Sequence, residues 1–139
     1  MFTCPRVSEC RVLKVGIGVH MDYSQSEAVE WLKAQPHLND YELESLIADE
    51  TRPRITATTN GHMLFLRGVN LNPAQSPEDM VSIRLFISEN ILITTRKRRL
   101  LSVQDTLACL NENKGPYNIS ELVCSITQKL TSRMQSVID

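Results

Sequence analysis

Residues 52–101 read RPRITATTNGHMLFLRGVNLNPAQSPEDMVSIRLFISENILITTRKRRLL and contain four runs that predict four β-strands. The first two runs flank Asn60-Gly61, a pair that tolerates the positive φ angles of a type I′ turn and therefore predicts a two-residue hairpin. In the second run, residues 63–66 are all apolar, so both faces of this strand are apolar. A strand of this kind lies inside a sheet whose faces are both covered, which predicts helices packed on the sheet.

The third and fourth runs are separated by a short turn at residues 88–90, so we expect them to pair as neighbours. The third run places one apolar row on a single face, namely Val81, Ile83, Leu85 and Ile87. The fourth run ends in consecutive cations, which are Arg96, Lys97, Arg98 and Arg99. Adjacent guanidinium groups can hold phosphate or carboxylate, so this basic tetrad is a candidate anion-binding or subunit-interface surface. A solvated strand end is the alternative interpretation.

Two helices are predicted before the four strands. Ser24-x-x-Glu27 matches a capping box that would open a helix near Ser26, and Asn39-x-x-Glu42 matches a second one. The expected inward rows are Ala28, Trp31 and Leu32 in the first helix, and Leu43, Leu46 and Ile47 in the second. The segment ValHisMetAspTyr, at residues 19–23, predicts a further strand that leads into the first helix.

Two more helices are predicted after the strands. Ser102-x-x-Asp105 opens one, and Asn118-x-x-Glu121 opens a longer one. The apolar row of the longer helix is Leu122, Ile126, Leu130, Met134 and Val137, and we expect this helix to continue beyond Asp139.

These elements predict an α/β fold, a three-layer α/β/α sandwich with a mostly antiparallel central sheet. Residues 1–10 are expected to form a loose start or an edge extension. Residues 11–117 would form the α/β domain, and residues 118–139 the beginning of a C-terminal helical region.

Composition and charge limit the possible functions. A chain of 139 residues with 42% apolar content can bury one core, and its formal charge of −1 gives no general attraction to nucleic acid. The charge is segregated, because residues 27–50 hold seven acids and one base, whereas residues 52–99 hold eight bases and three acids. The sequence contains no GxSxG, HExxH or glycine-rich phosphate loop, so we expect no enzyme. Its four cysteines lack the spacing of a zinc or redox motif.

Several single residues are candidates for specific roles. Arg52 and Arg54 are expected to form structural salt bridges with nearby helix acids, and Arg67, in an apolar strand, should be paired or reach an edge. His20 and Asp22 share one strand face, so both could bind one metal ion if His37 or His62 completed the site. Acids in the second helix could attract hard cations such as magnesium, but an exposed helix face is the preferred explanation for them.

Several segments, taken together in order and spacing, resemble a known family. They are TrpLeu at 31–32, ThrArgProArg at 51–54, PheLeuArgGlyValAsn at 65–70, GluAspMetValSerIleArg at 78–84 and IleThrThrArgLysArgArgLeuLeuSerValGlnAspThrLeu at 93–107. This pattern resembles the cytoplasmic domain of ZntB-like zinc transporters, which belong to the CorA superfamily of divalent-cation transporters. The resemblance covers residues 19–138.

The resemblance implies a cytoplasmic α/β/α domain on the inner face of the bacterial membrane. Its last helices would lead into a stalk helix, which residues 118–139 would begin, and then into two transmembrane helices with a Gly-Met-Asn signature; the sequence lacks the signature, the transmembrane helices and most of the stalk. Family members assemble as homopentamers in which these domains form a funnel, so the implied partners are further copies of the chain, its own membrane part and divalent cations. Zinc or magnesium would be the transported or regulatory ion, and no nucleic acid is expected. A stand-alone anion- or nucleic-acid-binding module that uses Arg96 to Arg99 is the alternative function.

Overall fold

The computed structural model describes residues 8–12, 16–48, 52–68, 81–97 and 118–138, and within them the side chains of residues 16–132. Six strands form one sheet in the order β1-β2-β6-β5-β4-β3. Their bounds are β1 Ser8–Val12, β2 Ile17–Asp22, β3 Arg54–Ala57, β4 His62–Gly68, β5 Val81–Ile87 and β6 Ile91–Arg96. The three described helices are α1 Ser26–Lys33, α2 Asp40–Leu46 and α3 Ile119–Ile138.

The four strands predicted from residues 52–101 are confirmed, and they pair in chain order. β3, β4, β5 and β6 form an antiparallel meander, and β1 is antiparallel to β2. The exception is β2, which lies parallel to β6 with Asp22 opposite Arg96. The sheet is therefore mixed and mostly antiparallel, as predicted.

Alternation along the strands divides the core into two layers. On one face, Met63, Phe65 and Phe86 pack against Ala28 of α1 and Leu46 of α2. On the other face, the apolar row of β5 packs against a row of α3 that consists of Ile119, Leu122, Ile126 and Leu130. Each face of the sheet thus carries helices, which confirms the predicted three-layer α/β/α arrangement. None of the helices among the described residues has both the length and the low polarity that crossing a bilayer requires.

Helix α3 approaches the sheet closely at two glycines. A Cβ atom at Gly18 of β2 would lie 2.8 Å from Leu122 Cδ2, and one at Gly68 of β4 would lie 2.5 Å from Leu130 Cδ1. Real Cβ atoms do not come this close to a neighbour, so the missing side chains let the helix lie against the strands. Because the two contacts are on different strands, α3 runs across the sheet from β2 to β4.

One of the two predicted capping boxes before the sheet is present. In α2, the Asn39 side chain accepts a hydrogen bond from Glu42 N, and the Glu42 carboxylate accepts one from Asn39 N. Helix α1 begins at Ser26, as predicted, but its N-cap is Gln25 and has no side-chain cap. The prediction of a box at Ser24 is wrong because the Ser24 hydroxyl donates to Asp22 Oδ1 at 2.7 Å instead.

The β3–β4 hairpin is confirmed, but its predicted turn is wrong by one residue. Thr58 N donates to Gly61 O at 2.8 Å, which places Thr59 and Asn60 at the centre of the turn. Gly61 does not adopt a positive φ angle; among the described residues, the glycine that does is Gly16. Gly61 is required instead for space, since a Cβ atom there would lie 2.2 Å from Ile87 O.

Some predictions concern residues that the structure does not describe. The helix predicted at Ser102 lies outside the described residues, and so do Met134 and Val137 as side chains in the apolar row of α3. At the start of the chain, Ser8–Val12 forms the edge strand β1, which corresponds to the edge extension predicted for part of residues 1–10. This strand crosses the boundary predicted between residues 10 and 11.

Candidate functional site

The parallel pairing of β2 and β6 brings together two sets of residues that the sequence presented as separate candidates. His20 lies opposite Thr94, and Asp22 lies opposite Arg96. Arg96 Nε donates to His20 Nε2 at 3.2 Å, and Arg96 Nη1 lies 3.8 Å from Asp22 Oδ2. The predicted metal pair and the first cation of the basic tetrad therefore form one cluster at the carboxyl ends of two parallel strands.

The chemistry of the donors assigns the tautomer of His20. Arginine can only donate, so His20 Nε2 must accept and the ring proton resides on Nδ1. His20 Nδ1 then donates to Thr94 Oγ1 at 2.6 Å, and Thr94 Oγ1 donates to Val19 O at 3.3 Å. Hydrogen bonds thus run in one direction from the guanidinium group through the imidazole and the hydroxyl group to a backbone carbonyl.

The surroundings of His20 keep its ring neutral. The side chain is buried, and the pKa of His20 is lowered from 6.5 to about 3, chiefly by this burial and also by the positive charge of Arg96. The carboxylate of Asp22 acts in the opposite direction and raises the pKa, but it is outweighed. The imidazole is therefore neutral at physiological pH, which its acceptance of a hydrogen bond from Arg96 requires.

Asp22 is engaged on both of its oxygen atoms. Its Oδ1 accepts hydrogen bonds from Ser24 N at 2.9 Å and from the Ser24 hydroxyl, which forms a local turn at the end of β2. Its Oδ2 faces Arg96. The lone pairs that a metal ion would use on His20 and Asp22 therefore face a guanidinium group.

The other predicted metal ligands do not join this pair. His62 begins β4, three strands from His20 in the sheet, and His37 lies near Phe86, with 6.5 Å between the ring centroids. Across the described residues, no three His, Cys, Asp or Glu side chains converge on a position that could hold a metal ion. The arrangement favours a structural role, in which Arg96 forms an ion pair with Asp22 and a hydrogen bond with the neutral ring of His20, over a metal site.

The predicted basic tetrad is only partly visible, and its two described members have different environments. Arg96 is half-buried against His20 and Asp22, whereas Lys97 is exposed. Arg98 and Arg99 lie outside the described residues. A continuous anion-binding surface from Arg96 onwards would have to take Arg96 from its present partners.

The three arginines predicted to form structural salt bridges are all exposed. Arg54 places its guanidinium group 3.9 Å from the ring centroid of Phe65, a cation–π contact rather than a salt bridge. Arg52 and Arg67 are in no ion pair among the residues described here. The acids Asp49 and Glu50, which were expected to pair with Arg52 and Arg54, lie outside the described residues.

Two buried charged residues were not identified as important from the sequence. Glu42 is fully buried, and its carboxylate accepts hydrogen bonds from Asn39 N, Asn60 N and Asn60 Nδ2, which connect α2 to the β3–β4 hairpin. Burial would raise the pKa of Glu42, but the hydrogen bonds outweigh burial and hold the pKa below its usual value. The charged group thus stabilises a structural junction.

Arg84, in the middle of β5, is the second such residue. It is 1% exposed, and its guanidinium group lies 4.7 Å from the ring centroid of Tyr23. The sequence did contain a signal for Arg84, since it is the one cation in the otherwise largely apolar strand β5. A charge at such a position is expected to be buried and must then be compensated by contacts within the fold.

Comparison with known proteins identifies the family. The family model described as "CorA-like Mg2+ transporter protein" matches residues 17–139. The divalent cation transporter CmaX of Pseudomonas aeruginosa is 39% identical over 121 residues, which are 86% of this chain and 36% of that protein. The zinc transport protein ZntB of Klebsiella pneumoniae is 30% identical over 121 residues, which are 87% of this chain and 37% of that protein. This chain thus spans little more than a third of the length of these relatives.

A solved structure supports the same assignment. The crystal structure of the ZntB cytoplasmic domain from Vibrio parahaemolyticus matches with a TM-score of 0.83 and 31% identity, covering 90% of this chain and 51% of that one. Because the matched family and relatives are transporters, the prediction that this chain is not an enzyme is confirmed. The chain belongs to the family of CorA-like Mg²⁺ transporter proteins and is a ZntB-like domain of that superfamily.

Proposed function

We propose that this chain is the cytoplasmic domain of a divalent-cation transporter, with zinc or magnesium as the transported or regulatory ion. The observation that carries this proposal is the close match of the whole three-layer fold to the ZntB cytoplasmic domain, with a TM-score of 0.83. The relatives named above are a divalent cation transporter and a zinc transport protein, which supports this class of substrate.

The proposed setting is the cytoplasmic face of the bacterial inner membrane, with a membrane part that the 139 residues do not include. Five copies would surround the permeation path as a funnel, so that the domain acts on the ion before or after it crosses the pore. The exposed charges of the domain would set the electrostatic potential of this vestibule and hence the local concentration of cations.

Helix α3 is the element we propose for coupling to the pore. It contacts β2 through Gly18 and β4 through Gly68, so its direction is determined by two strands that are separated in the sheet by β6 and β5. Packed interiors deform little, and a helix seated in this way moves with the sheet as a unit. A change of ion or proton state in the domain would therefore reach the membrane part as a rotation or shift of α3.

A chimera tests this proposal. The matching segment of CmaX from Pseudomonas aeruginosa is replaced by this chain, and uptake of zinc and magnesium is measured in membrane vesicles. We expect uptake above that of empty vesicles. A chimera in which the core residue Ile126 is replaced by Asp provides the control, because a charge in this core unfolds the domain but leaves the membrane part intact. A chimera that inserts into the membrane, has a folded domain and moves neither ion would contradict the proposal.

The alternative of a stand-alone anion- or nucleic-acid-binding module receives less support. Its key residue, Arg96, is engaged by His20 and Asp22 rather than directed to solvent. Phosphate contacts would make any such binding fall steeply with salt concentration. Titration of this chain with inorganic phosphate and with a single-stranded oligonucleotide at two salt concentrations would reveal it.

A further inference from the structure

The turn between β3 and β4 contains the one Asn-Gly pair of the sequence, Asn60-Gly61. An asparagine that precedes glycine is prone to deamidation, because glycine has no side chain to hinder attack by its backbone nitrogen on the asparagine side chain. Here the tertiary structure requires both residues. The Asn60 amide connects the turn to α2, and a Cβ atom at Gly61 would lie 2.2 Å from Ile87 O. Packing therefore maintains a chemically reactive pair at an exposed turn.

Deamidation of this pair consumes only water. The backbone nitrogen of Gly61 loses its proton and forms a bond to Asn60 Cγ, while the bond from Cγ to Nδ2 breaks and Nδ2 leaves with that proton as ammonia. Water then opens the resulting cyclic imide at either of its carbonyl groups. One opening leaves aspartate at position 60. The other leaves isoaspartate, in which the backbone runs through the side chain and is longer by one carbon atom.

In the folded chain, the contacts of Asn60 with His37 and Glu42, which we call the α2–hairpin junction, oppose this attack. Asn60 Nδ2 donates to His37 O at 2.7 Å and to Glu42 Oε1 at 2.9 Å, which uses both of its protons and anchors the nitrogen that must leave. Donation also strengthens the partial double bond of the amide, so Cγ is attacked less readily. The Glu42 carboxylate, which accepts from Asn60 N at 3.2 Å, repels the negative charge that develops during the attack. The reaction therefore requires the junction to open.

The product of the reaction cannot restore the junction. A carboxylate at position 60 has no proton to donate to His37 O. It would also lie against the Glu42 carboxylate, which is charged because its hydrogen bonds outweigh burial and hold its pKa below the usual value. Two carboxylates at this distance repel each other strongly, so one of them would have to bind a proton. The additional backbone atom of isoaspartate would lie within the turn that Thr58 N and Gly61 O close at 2.8 Å.

We propose that Asn60 is a deamidation site that becomes reactive when the α2–hairpin junction opens, and that the modified chain keeps the junction open. The change runs in one direction, because ammonia is lost and water takes its place. A modified copy carries one more negative charge and lacks the hydrogen bonds through which the turn holds α2. The reaction needs neither an ion nor a membrane part, so this inference is independent of the proposed function.

The first experiment follows the reaction in this chain at pH 7, both folded and in urea above the unfolding midpoint. Peptides from timed samples are analysed by mass spectrometry for aspartate and isoaspartate at each asparagine position. In urea, we expect Asn60 to react faster than the other asparagines, each of which precedes a larger residue. In the folded chain, we expect the reaction at Asn60 to be at least about tenfold slower, because it requires local opening.

Two variants separate opening of the junction from unfolding of the whole chain. Glu42→Gln weakens the junction and removes its charge, so it should accelerate the reaction at Asn60 in the folded chain at least about tenfold. The control Glu44→Gln makes the same charge change at an exposed position of α2 and should leave the rate unchanged. Leu130→Ala destabilises the core on the other face of the sheet. At an equal loss of stability in urea, it should accelerate the reaction less than Glu42→Gln does.

A substitution that imitates the product tests its effect on the junction. Asn60→Asp and Asn60→Ala both remove the donors of the side chain, but only Asn60→Asp adds a charge against Glu42. Asn60→Asp should therefore have the lower urea midpoint at pH 7. In a chain that also carries Glu42→Gln, the difference between the two substitutions should largely disappear, because the opposing charge is gone.

Each of four results would overturn the inference. Absence of conversion at Asn60 in urea would mean that the pair is unreactive in this sequence. Equal rates in the folded chain and in urea would show that the junction gives no protection. Equal acceleration by Glu42→Gln and Leu130→Ala, at equal loss of stability, would show that the reaction passes through the unfolded chain. An Asn60→Asp variant as stable as the wild type would show that the product leaves the junction closed.

Discussion

Arg96 donates a hydrogen bond to His20 across the parallel pair β2–β6, although the two residues are 76 positions apart in the chain. The contact places a positive charge against a buried imidazole, which must stay neutral to accept the bond. The folded chain therefore needs a neutral His20, whereas in the unfolded chain this residue becomes protonated once the pH falls below its ordinary pKa.

This requirement predicts a loss of stability in mild acid. The pKa of His20 is about 3 in the folded chain and 6.5 in the unfolded chain, so the unfolded state binds the proton at a higher pH than the folded state does. The contribution of His20 is fully present above pH 6.5 and is lost progressively as the pH falls towards 3. Between pH 7 and pH 5, we expect the free energy of unfolding to decrease by about 2 kcal/mol from this group, at about 1.36 kcal/mol per pKa unit.

Urea denaturation at pH 7 and pH 5 measures this decrease. His20→Gln should remove most of the difference between the two pH values, even if the variant is less stable at both. His62→Gln alters an exposed histidine at the start of β4 and should retain the difference. An equal pH dependence in wild type and His20→Gln would mean that His20 is protonated as readily in the folded chain as in the unfolded one.

Removal of the Arg96 charge should raise the pKa of His20. The positive charge is the second-largest cause of the lowering, so in Arg96→Met the pKa should move upwards but remain below 6.5 because burial persists. An NMR titration of the imidazole signals follows the change directly. Lys97→Met removes the neighbouring, exposed charge and should leave the titration of His20 in place; a similar shift in both variants would indicate a general effect of net charge.

The two-layer core could be predicted from the sequence, but the His20 cluster could not. Alternation along β4 and β5 specifies which residues face each helical layer, because a slip of one residue would expose the whole apolar row. The pairing of β2 with β6 has no local signal of this kind, since it joins two segments that are far apart in the chain. His20 and Asp22 could therefore be placed on one face from the sequence, but their partner Arg96 could not be identified.

The β3–β4 turn shows why a local motif can mislead by one residue. Asn60-Gly61 favours a type I′ turn in isolation, but Asn60 also forms hydrogen bonds with His37 and Glu42, and Gly61 lies against the backbone of Ile87. These tertiary contacts require Asn60 at the centre of the turn. The preference of Gly61 for a positive φ angle is therefore outweighed. Glycine is needed at this position because a side chain would meet the backbone of Ile87.

Loss of the buried carboxylate at Glu42 should destabilise the chain strongly. Glu42→Ala leaves Asn39 N and the donors of Asn60 without their acceptor, and hydrogen bonds to a charged group contribute about 1.5–3 kcal/mol each. We expect a loss of at least about 3 kcal/mol in urea denaturation at pH 7. Glu44→Ala, two residues later and exposed, should cost less than about 0.5 kcal/mol.

A double-mutant cycle identifies the partner in this junction. The losses caused by Glu42→Ala and Asn60→Ala should add incompletely, because both changes remove the hydrogen bond from Asn60 Nδ2 to Glu42 Oε1. Each change also removes a bond of its own, from Asn39 N to Glu42 in the first case and from Asn60 Nδ2 to His37 O in the second. Fully additive losses would show that the two residues stabilise the chain independently.

Two glycine substitutions should differ in cost because the atoms that they would meet differ in freedom. At Gly68, a new Cβ atom meets the end of the flexible Leu130 side chain, so we expect Gly68→Ala to cost about 1–3 kcal/mol. At Gly61, it would meet the carbonyl oxygen of Ile87 in the β5 backbone, which cannot turn aside without breaking the sheet. Gly61→Ala should therefore lower the urea midpoint more than Gly68→Ala does. The control shortens the neighbouring side chain: Leu130→Val should restore part of the stability lost in Gly68→Ala but none of the stability lost in Gly61→Ala. If Gly68→Ala instead proved more destabilising than Gly61→Ala, α3 would be held against β4 more rigidly than β5 is held at the hairpin.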